Sequence, residues 1–423
     1  MLPSLKLRVA AAAAAWTLAA GAQTAVPRPA AAITAQSLVQ AALRANPGIR
    51  AAAARATALR EAAPAAGALP EPTVSAGWMG GFAPFTVNQG ATSNRNFGVS
   101  EQLPFPGKLK LRRQAAEADA NAAEWRYQAA RRRVAAEVKA AYYAYAYDTQ
   151  ALQITRSNRK LLEQLTGIAE ARYASGKGLQ QDVLKGQVKL SQLLGRIEIL
   201  SEEKDTAAAR LNTLLDRDAS APLGPPEPLR QGKLGYTLAQ LQALAARQDT
   251  GLGEADELIA RDRKLVKLAH KAYDPDFSVS YGVQRMAAPG MNMAAASVSV
   301  SIPLFYRSKQ RANLHAAAAT LGAQQAARDD RRITVDYLVR AQYLAARQAN
   351  RLAVLYAKAI VPQASQALQS AEMAYQAGTA DFLTLLDDFS TILDYQVNYY
   401  QQVAAYNTAL ARLEPLVGKE LIQ

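Results

Sequence analysis

The feature that most constrains this chain is a helical stretch far longer than a globular domain needs. Residues 109–173 contain no proline and are predicted to form one helix. At 1.5 Å per residue, some 65 residues span about 100 Å. Two further stretches, 182–215 and 381–417, are predicted as long helices that return in the opposite direction. The chain therefore offers long antiparallel helical hairpins.

The second returning helix carries an apolar seam whose members are three, four or seven residues apart. That spacing is typical of coiled coils. Alanines on the other faces allow neighbouring helices to approach closely, so we expect lateral assembly with further copies of the chain. The seam consists of Leu386, Phe389, Leu393, Tyr400, Val403, Leu410 and Val417.

The sequence also repeats itself with an offset near 200 residues, and the matches keep their order. Two copies of one supersecondary unit explain this pattern. A proline-rich linker, 222–236, separates a first structural repeat, 23–221, from a second, 237–423. Matching pairs include Thr34 with Thr237, Pro104 with Pro303, Tyr143 with Tyr343, Gly176 with Gly378, and Leu211 with Leu413.

Within each repeat the periodicity changes in the same order. A helix, 37–63 or 238–272, is followed by prolines and then by two short strands with period-two alternation. Apolar side chains alternate with small polar ones, as in a membrane barrel strand or in a soluble sandwich strand with one buried face. Four strands are too few to close a membrane barrel, so several chains would have to share one.

The N-terminus has the features of a signal peptide. A basic start and an alanine-rich apolar run precede Ala20-Gly21-Ala22, which predicts export and cleavage of residues 1–22. After residue 22 the sequence contains no apolar run of 20 residues, so no membrane-spanning helix is predicted.

The chain has no cysteine, which excludes disulfides, thiol catalysis and a lipid anchor on an N-terminal cysteine. The formal charge of +14 could favour anionic lipid, whereas export disfavours nucleic acid as a partner.

No catalytic constellation stands out, and we predict neither enzyme activity nor a cofactor or metal site. The only histidines, His270 and His315, lie in helical stretches without ligand partners at metal-binding spacing. Asp182 and Asp381 each follow a glycine turn near the start of a returning helix. They either stabilise the helix start or form a carboxylate ring at the mouth of an assembled pore.

Several of these stretches, in this order and duplicated, resemble the TolC family of outer-membrane efflux proteins. The opening 33–49 is similar to the family's first helix, and 102–108 (QLPFPGK) is similar to the strand-to-helix junction of the heavy-metal (Czc/Cus-type) branch. The tips resemble the Y-x-x-G turns at the family's periplasmic end. They are Tyr173-Ala174-Ser175-Gly176 and Tyr375-Gln376-Ala377-Gly378.

The resemblance implies a mainly α fold with a small β part. Each chain of a homotrimer would add four strands to a shared outer-membrane β-barrel and long helical hairpins to a periplasmic α-barrel. It further implies a passive exit duct in the cell outer membrane, embedded in outer-membrane lipid and extending into the periplasm. An inner-membrane efflux pump and a periplasmic adaptor protein would complete the system.

The resemblance leaves the cargo open. Cation or heavy-metal efflux is the favoured interpretation, and multidrug efflux or type I protein secretion is the alternative. A periplasmic enzyme or glycan-binding protein would instead be a soluble monomer, and a coiled-coil protein would leave the strands unexplained. The implied aperture and adaptor-contact residues are Tyr173, Gly176, Asp182, Tyr375, Gly378 and Asp381. The family's closing arginine has no counterpart on the second tip, where Ala380 is nearest.

Overall fold

A computed structural model describes residues 32–79, 93–286 and 292–421; the predicted signal peptide lies outside them. The elements follow the same order in both halves of the chain, which confirms the duplicated fold. The first half contains α1 (Ala35–Ala45), α2 (Pro47–Ala66), β1 (Thr73–Met79), β2 (Asn94–Leu103), α3 (Lys108–Ala174) and α4 (Gln180–Leu214). The second contains α5 (Leu238–Gln248), α6 (Thr250–Lys271), β3 (Asp276–Met286), β4 (Asn292–Ser301), α7 (Gln310–Leu355), a π-helical turn (Tyr356–Ile360), α8 (Val361–Ala377) and α9 (Phe382–Val417).

The single helices predicted over 37–63 and 238–272 are wrong, because each is two helices with a break. The first break is at Asn46, which precedes Pro47 and is therefore disfavoured in helical geometry. The Asn46 side chain accepts hydrogen bonds from the amides of Gly48 and Ile49, so it caps α2. Asp249 does the same for α6 by accepting from the amide of Leu252 at 3.0 Å.

The four strands form one antiparallel sheet in the order β1-β2-β3-β4, so β1 and β4 are its edges. The predicted alternation is confirmed, since one face is apolar and exposed while the other carries small and polar residues. The exposed apolar side chains on that face include Val74, Phe97, Val99, Val279, Tyr281, Val283, Val298 and Val300.

The long helices pack side by side, and α3 is in contact with α2, α4, α6 and α9. The predicted seam on α9 lies in the resulting core: six of its seven residues are buried, and Tyr400 is partly exposed. Each fully buried large apolar side chain stabilises the packing by about 1.5–3 kcal/mol. Within the described residues, no helix has the length and hydropathy needed to cross a membrane.

Candidate functional site at the helix tips

The first tip, residues 173–182, connects α3 to α4 through a left-handed glycine. Gly176 has φ +71°, a conformation that side-chain-bearing residues rarely adopt. The turn is closed by backbone bonds from Gly176 to the Tyr173 carbonyl at 3.0 Å and from Lys177 to the Arg172 carbonyl at 2.9 Å. Asp182 lies in the first turn of α4. A carboxylate there interacts favourably with the positive end of the helix dipole.

The second tip, residues 375–381, is shorter and connects α8 to α9. Gly378 has φ +81°, and Thr379 donates its amide hydrogen to the Ala374 carbonyl at 2.9 Å. Asp381 is the N-cap of α9, and its carboxylate accepts a hydrogen bond from the Thr384 amide at 2.8 Å. Hydrogen bonding from Thr384 lowers the pKa of the Asp381 carboxyl below its usual range. The group is therefore charged at any physiological pH.

Arg172, at the end of α3, joins the two tips within one chain. Its Nη1 donates to the carbonyls of Tyr375 at 2.5 Å and Gln376 at 3.1 Å, and its Nη2 donates to the Lys177 carbonyl at 3.3 Å. The guanidinium also lies 4.9 Å from the centre of the Tyr375 ring, which is cation–π geometry. This side chain therefore binds carbonyl groups of both tips, two on the second and one on the first.

The family resemblance implied a linking arginine on the second tip, whereas the linking arginine of this chain, Arg172, lies at the first. One signal was available. Arg172 precedes the tyrosine of the first Y-x-x-G turn, where the second turn has Ala374. A cationic side chain in the last turn of a helix is expected to donate hydrogen bonds to the terminal carbonyls of that same helix. Two of the three contacted carbonyls, those of Tyr375 and Gln376, belong to the other repeat, about 200 positions away.

The two tip tyrosines, which the sequence pattern treats alike, have different environments. Tyr173 is 48% exposed, whereas Tyr375 is 3% exposed and packs against Phe382 at 5.3 Å between ring centres. Burial raises the pKa of the Tyr375 phenol, and the nearby charge of Asp182 raises it further, while Arg172 opposes the shift. The structure thus brings Asp182, Tyr375 and Arg172 together and leaves Tyr173 at the surface.

The two tips of one chain are linked through Arg172 and carry charged side chains. Both histidines are exposed on helices, and the described residues contain no group of three or more acidic, histidine or cysteine side chains able to hold a metal ion. The carboxylates of Asp182 and Asp381 stand at the starts of neighbouring helices. Their negative charges interact favourably with the helix dipoles.

Comparison with known proteins places these features in a family. The chain belongs to the outer membrane efflux protein family, whose profile matches residues 38–217 and 239–419, one segment in each half. Its members are outer-membrane efflux channels rather than enzymes. Among curated relatives, the cobalt-zinc-cadmium resistance protein CzcC of Cupriavidus metallidurans is 22% identical over 331 residues, which is 75% of each chain.

Solved structures of channels have the same fold. The outer-membrane channel OprN gives a TM-score of 0.78 at 20% identity, covering 91% of this chain and 89% of that one. CusC gives 0.79 at 18% identity, covering 90% and 91%. VceC of Vibrio cholerae gives 0.78 at 18% identity, covering 92% and 96%. At these identities the likeness establishes the architecture and not the cargo.

Proposed function

We propose that three copies of this chain form one passive exit duct across the cell outer membrane. Each copy contributes its four strands to a shared barrel of twelve and its long helices to a tunnel in the periplasm. Residues 1–22 direct export and are removed, and residues 23–221 and 237–423 act as two equivalent units joined by 222–236. Outer-membrane lipid surrounds the barrel.

The observation that carries this proposal is the sheet. It has one face of exposed apolar side chains, and the outer edges of β1 and β4 face no further strand among the described residues. An open sheet edge is not tolerated in lipid, because unpaired backbone groups there cost several kcal/mol each, roughly, so the edges must pair with further copies. Twelve strands give a barrel wide enough to leave a passage.

A matched pair of substitutions on β4 tests the duct. Val298 lies on the apolar face and Ser299 on the polar face. Val298→Arg places a cation against lipid, which costs about 2–4 kcal/mol at the bilayer midplane and less toward the interfaces, and should reduce the trimer recovered from outer membranes. Ser299→Arg should preserve trimer yield and change single-channel conductance. Equal tolerance of both arginines, or a stable detergent-free monomer, would contradict the proposal.

We further propose that the duct serves cation or heavy-metal efflux, with a periplasmic adaptor and an inner-membrane pump supplying contact and energy. Two observations support this. The relative CzcC is a cobalt-zinc-cadmium resistance protein, and carboxylates stand at both tips. Multidrug efflux and type I protein secretion are the alternative functions, because a wide duct does not have to bind the molecules that pass through it.

Deletion of the gene in its own host tests the cargo. The deletion strain is grown in graded concentrations of cobalt, zinc and cadmium and, separately, of hydrophobic drugs. It should be more sensitive than the wild type to the metals only, and the intact gene should restore metal tolerance. Sensitivity to drugs with unchanged metal tolerance would establish the multidrug alternative. A second experiment identifies the adaptor. A cysteine is introduced at Ser175 or Thr379, at the tips of this cysteine-free chain, and is cross-linked to whatever protein contacts it. The adaptor should co-purify with the cross-linked chain.

A further inference from the structure

The junction between β2 and α3 is held by a contact between the two repeats. Lys108, the first residue of α3, donates hydrogen bonds to the Asp276 carboxylate at 2.7 Å and to the Asp274 carbonyl at 2.9 Å. Phe105, at the same junction, stacks on Phe277 with ring centres 6.5 Å apart. The cationic start of a long helix therefore packs on the acidic segment that leads into the neighbouring strand.

The equivalent junction of the second repeat, between β4 and α7, is exposed. Leu304 corresponds to Phe105, since each follows the first proline of its junction, and Lys309 corresponds to Lys108 as the first lysine after that proline. Leu304 is 75% exposed, and Lys309 is exposed without an ion pair among the described residues. Residues 277–328 contain no aspartate or glutamate. The basic start of α7 therefore has no acidic neighbour in its own segment.

The carboxylates beside Lys309 in its own chain already have partners. Lys309 borders a cavity that Asp274 and Asp276 also line. Asp276 is paired with Lys108 at 2.7 Å, and the Asp274 carboxylate is paired with Lys271 at 3.0 Å. These two aspartates therefore serve the first junction, and the charge of Lys309 is left for another partner.

The matching surface lies at the other edge of the sheet, on the segment that leads into β1. Glu71 corresponds to Asp274 and Val74 to Phe277, because the two segments align on the proline that precedes each strand. Val74 is 78% exposed, and Glu71 is exposed without an ion pair among the described residues. Residues 62–94 contain no lysine or arginine. This segment is therefore an acidic and apolar counterpart to the basic and apolar junction at β4.

We propose that the β4–α7 junction of one copy packs on the segment before β1 of the next copy. Lys309 pairs with the partner's Glu71, and Leu304 packs against the partner's Val74. The charges are opposite, and burying the two exposed apolar side chains against each other removes both from solvent. Repeats stack through equivalent faces, and a cyclic assembly continues that pattern from copy to copy. The contact rests on the proposed function, and a trimer would contain three.

The contact between copies should be weaker than the contact within the chain. Thr73 stands at the position of Asp276, the carboxylate that Lys108 contacts. The acidic group offered to the next copy is therefore Glu71, two residues earlier. Dissociation of the trimer should then begin between copies, while the junction within each chain stays closed.

Cross-linking in this cysteine-free chain tests the contact. One variant carries Glu71→Cys and Lys309→Cys, and its matched control carries Lys108→Cys and Asp276→Cys. Each detergent-purified protein is treated with a short bismaleimide and run on a denaturing gel. The first variant should give linked dimers and trimers. The control should give only internally linked monomers, because both of its residues meet within one chain.

Charge reversal provides a second measurement. Glu71→Lys and Lys309→Glu should each shorten the half-life of the trimer in detergent about fivefold, because like charges would then face each other at all three contacts. The combined variant Glu71→Lys/Lys309→Glu restores opposite charges. Its half-life should return to within about twofold of the wild type, since the two sites are coupled rather than additive.

Either of two results would overturn the inference. The first is the absence of linked dimers from the Glu71→Cys/Lys309→Cys variant in a sample whose native mass is that of a trimer. The second is a combined charge variant that is no more stable than the single reversals. Native mass and conductance of the wild type are measured alongside. A conducting trimer without this contact defeats the inference alone, whereas a monomeric wild type defeats the proposed duct.

Discussion

Arg172 and Tyr375 are in direct contact although they belong to different repeats. The guanidinium of Arg172 lies 4.9 Å from the Tyr375 ring centre, and its Nη1 donates to the Tyr375 carbonyl. The contact ties the end of α3 to the end of α8, so that the two helical hairpins of one chain cannot separate at their tips without breaking it. The linking arginine thus lies on the first tip, whereas the family resemblance implied one on the second.

Replacing Arg172 with alanine should loosen the tips. Loss of charge-assisted hydrogen bonds and the ring contact removes about 1–3 kcal/mol of coupling between the hairpins. We expect faster amide hydrogen exchange across 375–381 and a higher resting conductance in planar bilayers. Arg159→Ala is the control, because Arg159 pairs with Glu163 on its own helix at 2.8 Å. Identical exchange and conductance in both variants would show that Arg172 holds nothing closed.

Asp381→Asn should weaken cation selectivity while the fold is preserved. Asparagine is also a good N-cap, so the bond from the Thr384 amide is retained while the charge is lost. Single-channel reversal potentials should show reduced cation preference, and Asp182→Asn provides the comparison at the first tip. If both variants keep the wild-type selectivity, the carboxylates act as helix-start residues only and the acidic-ring hypothesis is wrong.

The pH dependence of that selectivity follows from hydrogen bonding at Asp381. Because Thr384 lowers the pKa of this carboxyl, the charge is present above the unfolded value and is lost only as pH falls through the lower folded value. The cation preference due to Asp381 should therefore persist as pH is reduced to about 4, the ordinary aspartate pKa. If the cation preference is lost between pH 7 and 5, it arises from a titratable side chain other than Asp381.

Periodicity predicted the elements that local spacing determines. The proline-free run of α3, the seam on α9 and the alternation in β3 and β4 all depend on residues close in sequence. The breaks at Asn46 and Asp249 were missed because apolar spacing continues across them, while side-chain caps end one helix and start the next. For Asp249 the reason is also tertiary, since Arg331 on α7 holds its carboxylate at 2.7 Å.

The candidate site was only partly predictable, because some of its contacts join residues far apart in the sequence. Gly176, Gly378 and Asp381 occupy positions that turn geometry and helix capping define, so their local form follows from sequence. The unequal burial of Tyr173 and Tyr375 and the contact of Arg172 depend on how two hairpins lie beside each other. No local pattern encodes that relation. Their roles at an aperture remain predictions.

Breaking a buried ion pair between α3 and α9 should strongly destabilise the protein. Lys139 Nζ lies 2.6 Å from the Glu414 carboxylate, and both side chains are less than 10% exposed. Glu414 also accepts the Leu421 amide at 2.9 Å. Glu414→Gln leaves the Lys139 ammonium buried without its counter-charge, which should lower the free energy of unfolding by about 3–5 kcal/mol.

The control for this pair is an exposed one. Arg126 and Glu254 are 2.7 Å apart but considerably more accessible to solvent, and Glu254→Gln should cost about 1 kcal/mol or less. Thermal unfolding of both variants, followed by circular dichroism in detergent, makes the comparison. Equal decreases in Tm would mean that the Lys139–Glu414 pair is no more important than a surface contact. Lys139→Met combined with Glu414→Leu should recover much of the loss, since it leaves no buried charge.

Asp148 should have the opposite effect on stability, because its charge is unfavourable in the folded state. Burial against the helices, and then the nearby charge of Glu203, raise the pKa of the Asp148 carboxyl from 3.8 to about 6. A carboxyl with a raised folded pKa binds more protons when folded than when unfolded between those two values. Stability from this group therefore falls as pH rises from about 4 to 6 and stays low above that range.

Asp148→Asn removes the charge and should raise Tm at pH 7.5, with little change at pH 4, where the wild-type carboxyl is already protonated in the folded chain. A shift of about two pKa units corresponds to at most about 3 kcal/mol, and relaxation and partial solvation reduce the expected gain to about 1 kcal/mol. Glu203→Gln should give a smaller gain in the same direction, because it removes only the second cause. A variant Asp148→Asn that is less stable than the wild type at pH 7.5 would mean that the ionised carboxylate has a favourable partner in the assembled protein.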